Sequence, residues 1–331
     1  MSLVMNQALG PPATALVADI GGTNARFAIA ELGASGLSHV MQFPCTSHRG
    51  LDAAIRHYLD QVGVRPTHAC IAVAGPVTDE EIAFTNSDWS FTTSGLRREL
   101  GLEGLLVIND FHAFALALPD LAPHELHQIG GVTHQEHGTK VAIGVGTGTG
   151  VAALVWTPSG WHAIPSEGGH SSLACDTAED FALAERVRAG LPHLSVERIL
   201  SGPGIGNLYR AIASSRGRNV ETLIPDEVVT RALAETDDIA VETLQRFVRW
   251  FGSFAADTAL MFGAKGGVYL GGGITPRILD LLRPSLFREA FEAKGRMKDY
   301  LAPIPVYAVL AEYLALRGAA IHASQAFSPA P

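Results

Sequence analysis

Short apolar runs that stop on glycines or on a polar pair recur along this chain. Residues 15–32, ALVADIGGTNARFAIAEL, read as one β-rich run, a Gly-Gly-Thr-Asn turn and a second β-rich run, the pattern of a hairpin. Residues 140–156, KVAIGVGTGTGVAALVW, repeat that plan, which predicts two related halves. Between them, residues 68–77 (HACIAVAGPV) and 105–110 (LLVIND) read as short buried strands, and residues 50–63 (GLDAAIRHYLDQVG) as a helix. FHAFALALPD, which follows Asp110, has helical spacing and stops at Pro119. Further on, Val241, Leu244, Val248, Phe251 and Ala255 recur at three- and four-residue steps and predict a core-facing helix. Residues 266–279, GGVYLGGGITPRIL, then predict a strand that runs into Gly271, Gly272 and Gly273 and on into a helix primed by Thr275 and Pro276. Residues 213–227 are polar and are expected to form a surface connection, and the first dozen residues a loose lead-in. Antiparallel strands followed by alternating strands and helices make the fold class α/β.

Composition narrows the picture. At 331 residues, and at roughly 150 residues per domain, two domains are expected. A hydrophobic fraction of 47% with 17% charged residues is that of a globular chain. The formal charge of -9 and the scattered Lys and Arg residues argue against nucleic acid as a partner. Cys45, Cys70 and Cys175 are odd in number and widely spaced, which argues against a disulfide framework or structural zinc and for a reducing, cytoplasmic setting. No apolar run reaches the ~18 residues of a membrane span, and no basic-then-apolar leader opens the chain, so no membrane association is expected.

The candidate chemistry sits at the ends of the strands. Gly21, Gly22 and Thr23 in the first turn, and Gly146, Thr147 and Gly148 in the second, would let a phosphate approach backbone N–H groups; each is otherwise a tight turn. Asp19 could reach magnesium directly or through water. No G-x-x-x-x-G-K-[ST] is present, and GVGTGTG leads into a strand rather than a helix, which disfavours a P-loop and a dinucleotide site. Asp110 ends a strand, where a carboxylate could take a proton from a hydroxyl or simply cap the following helix. Glu167 and His170 flank two glycines, and Glu197 opens a helix-like run where the helix dipole alone would favour it. Three carboxylates, Asn109 and one His would suit a neutral, polyhydroxylated ligand, although spacing alone does not make them converge.

In order, residues 17–32 (VADIGGTNARFAIAEL), 108–119 (INDFHAFALALP), 143–154 (IGVGTGTGVAAL), 166–170 (SEGGH), 197–212 (ERILSGPGIGNLYRAI), 266–279 and 291–307 (FEAKGRMKDYLAPIPVY) closely resemble bacterial glucokinases of the non-ROK type. The resemblance covers residues 16–323, nearly the whole chain. It implies an actin-like ATPase (ribonuclease H-like) fold of the hexokinase group, with two α/β domains and a cleft between them. The smaller domain would comprise residues 14–110 with about 307–327, and the larger residues 111–306. It also implies ATP- and Mg2+-dependent phosphorylation of glucose at its 6-hydroxyl, a glycolytic step, with Asp110 as general base. Asn109, Glu167, His170 and Glu197 fall on positions that bind the sugar. Ala18, Asp19, Ile20, Gly21, Gly22 and Thr23 fall on the first ATP-phosphate motif, and Thr147 with Gly146 and Gly148 on the second. Gly272 and Gly273 fall near the adenosine. A homodimer is expected from the same source.

Two departures from the family pattern stand out. SEGGHSSLACD has only Cys175 where the related ROK kinases carry a cysteine-rich zinc site, so no zinc is expected. LAEYLALRGAA, residues 310–320, replaces the usual Asn-Pro-Gly-Leu-type turn. A kinase for another hexose or amino sugar keeps the same fold, and polyphosphate is an alternative donor. A non-catalytic sugar-sensing regulator is the reading from another class; the roughly 15 residues ahead of the first turn are too few for a helix-turn-helix.

Overall fold

A computed structural model describes residues 13–34, 36–75, 77, 80–84, 89–132, 135–282 and 286–328; the expected lead-in at residues 1–12 lies outside them. The chain divides into two compact units, Met1–Ala117 with Tyr313–Pro331, and Leu118–Glu312.

The first unit opens with the hairpin β1 (Thr14–Ile20) and β2 (Asn24–Glu31), followed by β3 (Leu37–Pro44), α1 (Leu51–Val62) and β4 (His68–Val73). A small antiparallel pair, β5 (Glu81–Ala83) and β6 (Ser90–Thr92), leads through α2 (Thr93–Leu100) to β7 (Gly104–Asn109) and α3 (Asp110–Ala117). The five-stranded sheet has the order β3-β2-β1-β4-β7, with β1, β4 and β7 parallel. Alternation along β1 sends Leu16, Ala18 and Ile20 to one face, with α1 and α2 residues Ile55, Tyr58 and Leu96, and Ala15 and Val17 to the other. Covering both faces makes such strands continuously apolar. β4 follows this rule, but β7, expected as a buried strand, is mostly half-buried, because it lies at the edge of its sheet.

The second unit contains β8 (Leu126–Gly130), the hairpin β9 (Lys140–Val145) and β10 (Thr149–Thr157), and β11 (Gly160–Ser166). Then come α4 (Ala178–Arg188), α5 (Gly202–Ser215), α6 (Pro225–Leu233), α7 (Asp238–Phe262) and β12 (Gly267–Gly271). Three short helices, α8 (Leu279–Leu282), α9 (Leu286–Glu292) and α10 (Lys298–Leu301), precede β13 (Val306–Val309). The sheet order is β11-β10-β9-β12-β13-β8, with β9, β12 and β13 parallel. Its run β11-β10-β9-β12-β13 repeats β3-β2-β1-β4-β7, so the two halves expected from the paired hairpins share one topology. The predicted helix is α7: Asp237 caps it by accepting from the Ile239 and Ala240 N–H groups, Gly263 ends it in the left-handed region, and Leu244, Val248, Phe251 and Ala255 are buried. Burial of such Leu, Val and Phe side chains contributes about 1.5–3 kcal/mol each.

Several expected boundaries move. The helix α3 stays with the first unit rather than parting from it after Asp110, and β13 stays with the second because it pairs with β12 and β8. The final helix α11 (Leu314–Phe327) returns to the first unit, where Leu316, Ala319 and Ala323 pack on Ala15, Val17 and Ala72. Residues 213–227 are a connection only in part, since α5 runs through Ser215 and α6 starts at Pro225. The helix expected after Gly273 begins as a 3-10 turn, Thr275–Ile278, before α8.

Candidate active site

In the first unit, Ile20, Val73 and Asn109 are register partners across three parallel strands, so the first glycine turn and Asp110 stand at the carboxyl edge of one sheet. That is the edge where open α/β sheets bind ligands. The turn is closed by Gly21 N–H donating to the Asn24 carbonyl at 3.0 Å and is held from β3's end by Cys45 N–H donating to the Thr23 carbonyl at 2.8 Å. The Ala18 and Ile20 side chains are fully buried, so neither offers a side chain to a ligand.

The polar pair at the end of β7 has a division of labour. Asn109 Oδ1 accepts from the Phe111 and His112 N–H groups at 2.9 and 3.1 Å and so caps α3. Its amide nitrogen donates to the Gly75 carbonyl at 3.0 Å and to Asp110 Oδ1 at 3.1 Å, and Phe111 N–H donates to the same Asp110 oxygen at 2.9 Å. Asn109 therefore orients the Asp110 carboxylate as well as the helix.

Asp19 is not a free carboxylate. Arg26, its register partner on β2, donates to Asp19 Oδ2 at 3.0 Å and through Nε to Gln42 at 2.9 Å. Burial pushes the Asp19 carboxyl above its ordinary range, against the Arg26 guanidinium beside it, which acts to lower it. No group of three or more His, Cys, Asp or Glu residues suited to a metal exists among the described residues. Among the described residues Asp19 could thus offer magnesium a single carboxylate, one already shared with Arg26, beside a bound phosphate. Arg26 was missed in the sequence; its signal was its place opposite Asp19 in the hairpin.

In the second unit three predicted segments meet around Thr149. Thr149 N–H donates to Glu197 Oε2 at 2.8 Å, and its hydroxyl donates to the Leu200 carbonyl. Gly169, between Glu167 and His170, packs so closely on Thr149 that a Cβ would lie 2.9 Å from the Thr149 Cβ. Glu167 Oε2 and His170 Nε2 are 3.9 Å apart, and both side chains are more than half exposed. The second glycine turn, the Glu167–His170 segment and Glu197 are therefore one constellation.

The third glycine junction joins it from the other side. Gly272 has φ +84°, and a Cβ there would lie 2.6 Å from the Val145 nitrogen, so both conformation and close approach require glycine. Gly202 N–H, at the start of α5, donates to the Gly146 carbonyl at 2.8 Å. A pocket of about 350 Å3 opens here, lined by Gly146, Thr147, Gly202, Pro203, Gly273 and Arg277 among others. A helix N-terminus beside a glycine turn favours an anion. Sequence reading missed Pro203, Asp226 and Arg277 on this wall; Arg277 pairs with Asp226, which lies 51 positions away in sequence and gave no local signal.

The architecture is that of the actin-like sugar kinases. A ROK family glucokinase from Streptomyces griseus, in complex with glucose and AMPPNP, aligns with a TM-score of 0.66 at 20% identity, covering 95% of this chain and 100% of that one. A glucokinase from an Antarctic psychrotroph aligns with a TM-score of 0.83 at 39% identity, covering 93% and 97%. The glucokinase of Erwinia tasmaniensis is 44% identical over 311 residues, 94% of this chain and 97% of its own. The family model for glucokinase matches residues 16–326, and this chain belongs to the glucokinase family. It is an enzyme, a glucose kinase.

Proposed function

We propose that the chain transfers the γ-phosphoryl group of magnesium-ATP to the 6-hydroxyl of glucose, with Asp110 as general base. The observation that carries this reading is the Asp110 carboxylate, oriented by Asn109 and the Phe111 N–H at the same sheet edge as the first glycine turn. As the sugar oxygen attacks phosphorus and ADP departs, Asp110 takes the hydroxyl proton. Phosphoryl transfer depends mainly on positioning and charge stabilisation, which suits a site with one base and many backbone donors. Glu167, His170 and Glu197 bind the sugar hydroxyls, the two glycine turns hold the phosphates, and Gly273, which lines the second-unit pocket, borders the adenosine together with its neighbour Gly272. Asn109 adds a sugar contact to its capping role. A cytoplasmic homodimer is the working form, supported by the family resemblance alone.

The test is ADP release in a coupled assay with magnesium-ATP, comparing glucose, mannose, fructose, glucosamine and no sugar. Turnover is expected to be strongest with glucose. In the same assay Asp110→Asn should lower kcat at least ~10²-fold while sugar binding is largely kept. Near-normal turnover in that variant removes the general-base role.

A further inference from the structure

The Glu197 carboxylate, proposed above to bind the sugar, also meets the second glycine turn. Its Oε2 accepts the Thr149 N–H at the base of the second glycine turn, while among the described residues Oε1 accepts no hydrogen bond. It also explains a glycine. Gly148 does not have a left-handed backbone, yet a Cβ there would overlap Oε2 and lie 3.3 Å from the carboxyl carbon. A Cβ at 148 would therefore have to displace the Glu197 carboxylate, while the conformation of the turn would admit one.

The contact is built in from both ends. Ser201 Oγ donates to the Glu197 carbonyl at 2.7 Å, fixing the backbone that carries the carboxylate, and the same hydroxyl accepts from Gly204 N–H at the start of α5. On the turn side, Gly146 N–H donates to the Gly148 carbonyl at 2.9 Å, and the Gly146 carbonyl accepts from Gly202 N–H. A displacement of the carboxylate therefore reaches Thr149, Gly148 and Gly146 through consecutive contacts.

We infer that Glu197 is the positioning residue of the second phosphate turn, so that glucose and nucleotide each strengthen the other's binding. This rests on the sugar and phosphate roles proposed above. A sugar hydroxyl on Oε1 immobilises the Glu197 side chain, and with it the turn that the other oxygen holds. Nucleotide then meets a turn already ordered, and linkage requires the reverse effect to be equal.

Steady-state kinetics and calorimetry with glucose and a non-hydrolysable ATP analogue test this. Wild-type protein should bind the analogue at least ~5-fold more tightly when saturated with glucose, within the usual range of such couplings. Glu197→Gln keeps a carbonyl oxygen for the Thr149 N–H, so it should raise the glucose KM while the ATP KM changes less than about twofold. Glu197→Ala and Gly148→Ala should each raise both KM values and abolish the coupling. If Glu197→Ala raises the glucose KM alone and the coupling persists, the positioning role is overturned while the sugar contact stands. If neither Glu197 variant changes the glucose KM, the sugar contact itself falls. Should Glu197→Ala fail to fold, Gly148→Ala decides: an unchanged ATP KM overturns the proposal.

Discussion

Asp110 and His112 are two residues apart on the first turn of α3 and show how neighbours in sequence take different electrostatic fates. Asp110 is held by an amide and a backbone N–H at a half-buried strand end. The His112 ring packs against His322 of α11 with centroids 5.2 Å apart, and burial, with a smaller contribution from His322, pushes its pKa down to about 4. His322 is likewise held below its ordinary value, chiefly by burial. The unfolded chain, with His near 6.5, binds more protons than the folded one between about pH 6.5 and about pH 4. Stability from this pair is thus fully present above about pH 6.5 and falls as pH drops toward about 4. Urea midpoints measured across that window should fall with pH, and His112→Phe, which keeps an aromatic ring there, should flatten the slope.

At the scale of elements, α11 and α3 meet with no room to spare. A Cβ at Gly318 would lie 2.7 Å from the Ala113 Cα and closer still to the Ala113 carbonyl, and the small residues Ala319, Ala320 and Ala323 of α11 share one buried cluster with Ala113. Since α3 carries Asp110 at its first position, the packing of α11 bears on the carboxylate proposed as general base. Gly318→Ala should destabilise the protein by about 1–3 kcal/mol, the usual cost of overpacking, and this is measurable by denaturant titration. A stability within ~0.5 kcal/mol of the parent would mean that the helices part without strain. The departure LAEYLALRGAA is accommodated locally: Tyr313 takes φ +56° as the N-cap of α11, a conformation in which Asn or Gly is at less cost. The long-helix signal of α7 was legible because its apolar residues recur at three- and four-residue steps from Val241 to Ala255. The half-burial of β7 was not, because whether a strand ends a sheet depends on partners far away in sequence.

At the scale of the whole chain, each unit has its own hydrophobic cores, one spanning Ile129 to Ala308 and two built from residues before Ala117 and after Tyr313. Separate cores permit separate transitions. Scanning calorimetry should give a calorimetric enthalpy exceeding the van't Hoff value; equality would mean that the units unfold as one. The sequence by itself determined the α/β class, the two glycine-turn hairpins, the strand ending on Asn109 and Asp110, and the family, because these rest on local periodicity and on motifs read in order. It also named the residues with chemistry to offer. Only the tertiary structure decided what those residues do to one another: that Arg26 occupies Asp19, that Asn109 caps α3 and orients Asp110, and that Glu197 fills the space above Gly148. Such contacts join positions up to 49 residues apart, and no local propensity encodes which side chain will meet which backbone group once sheets and helices have packed.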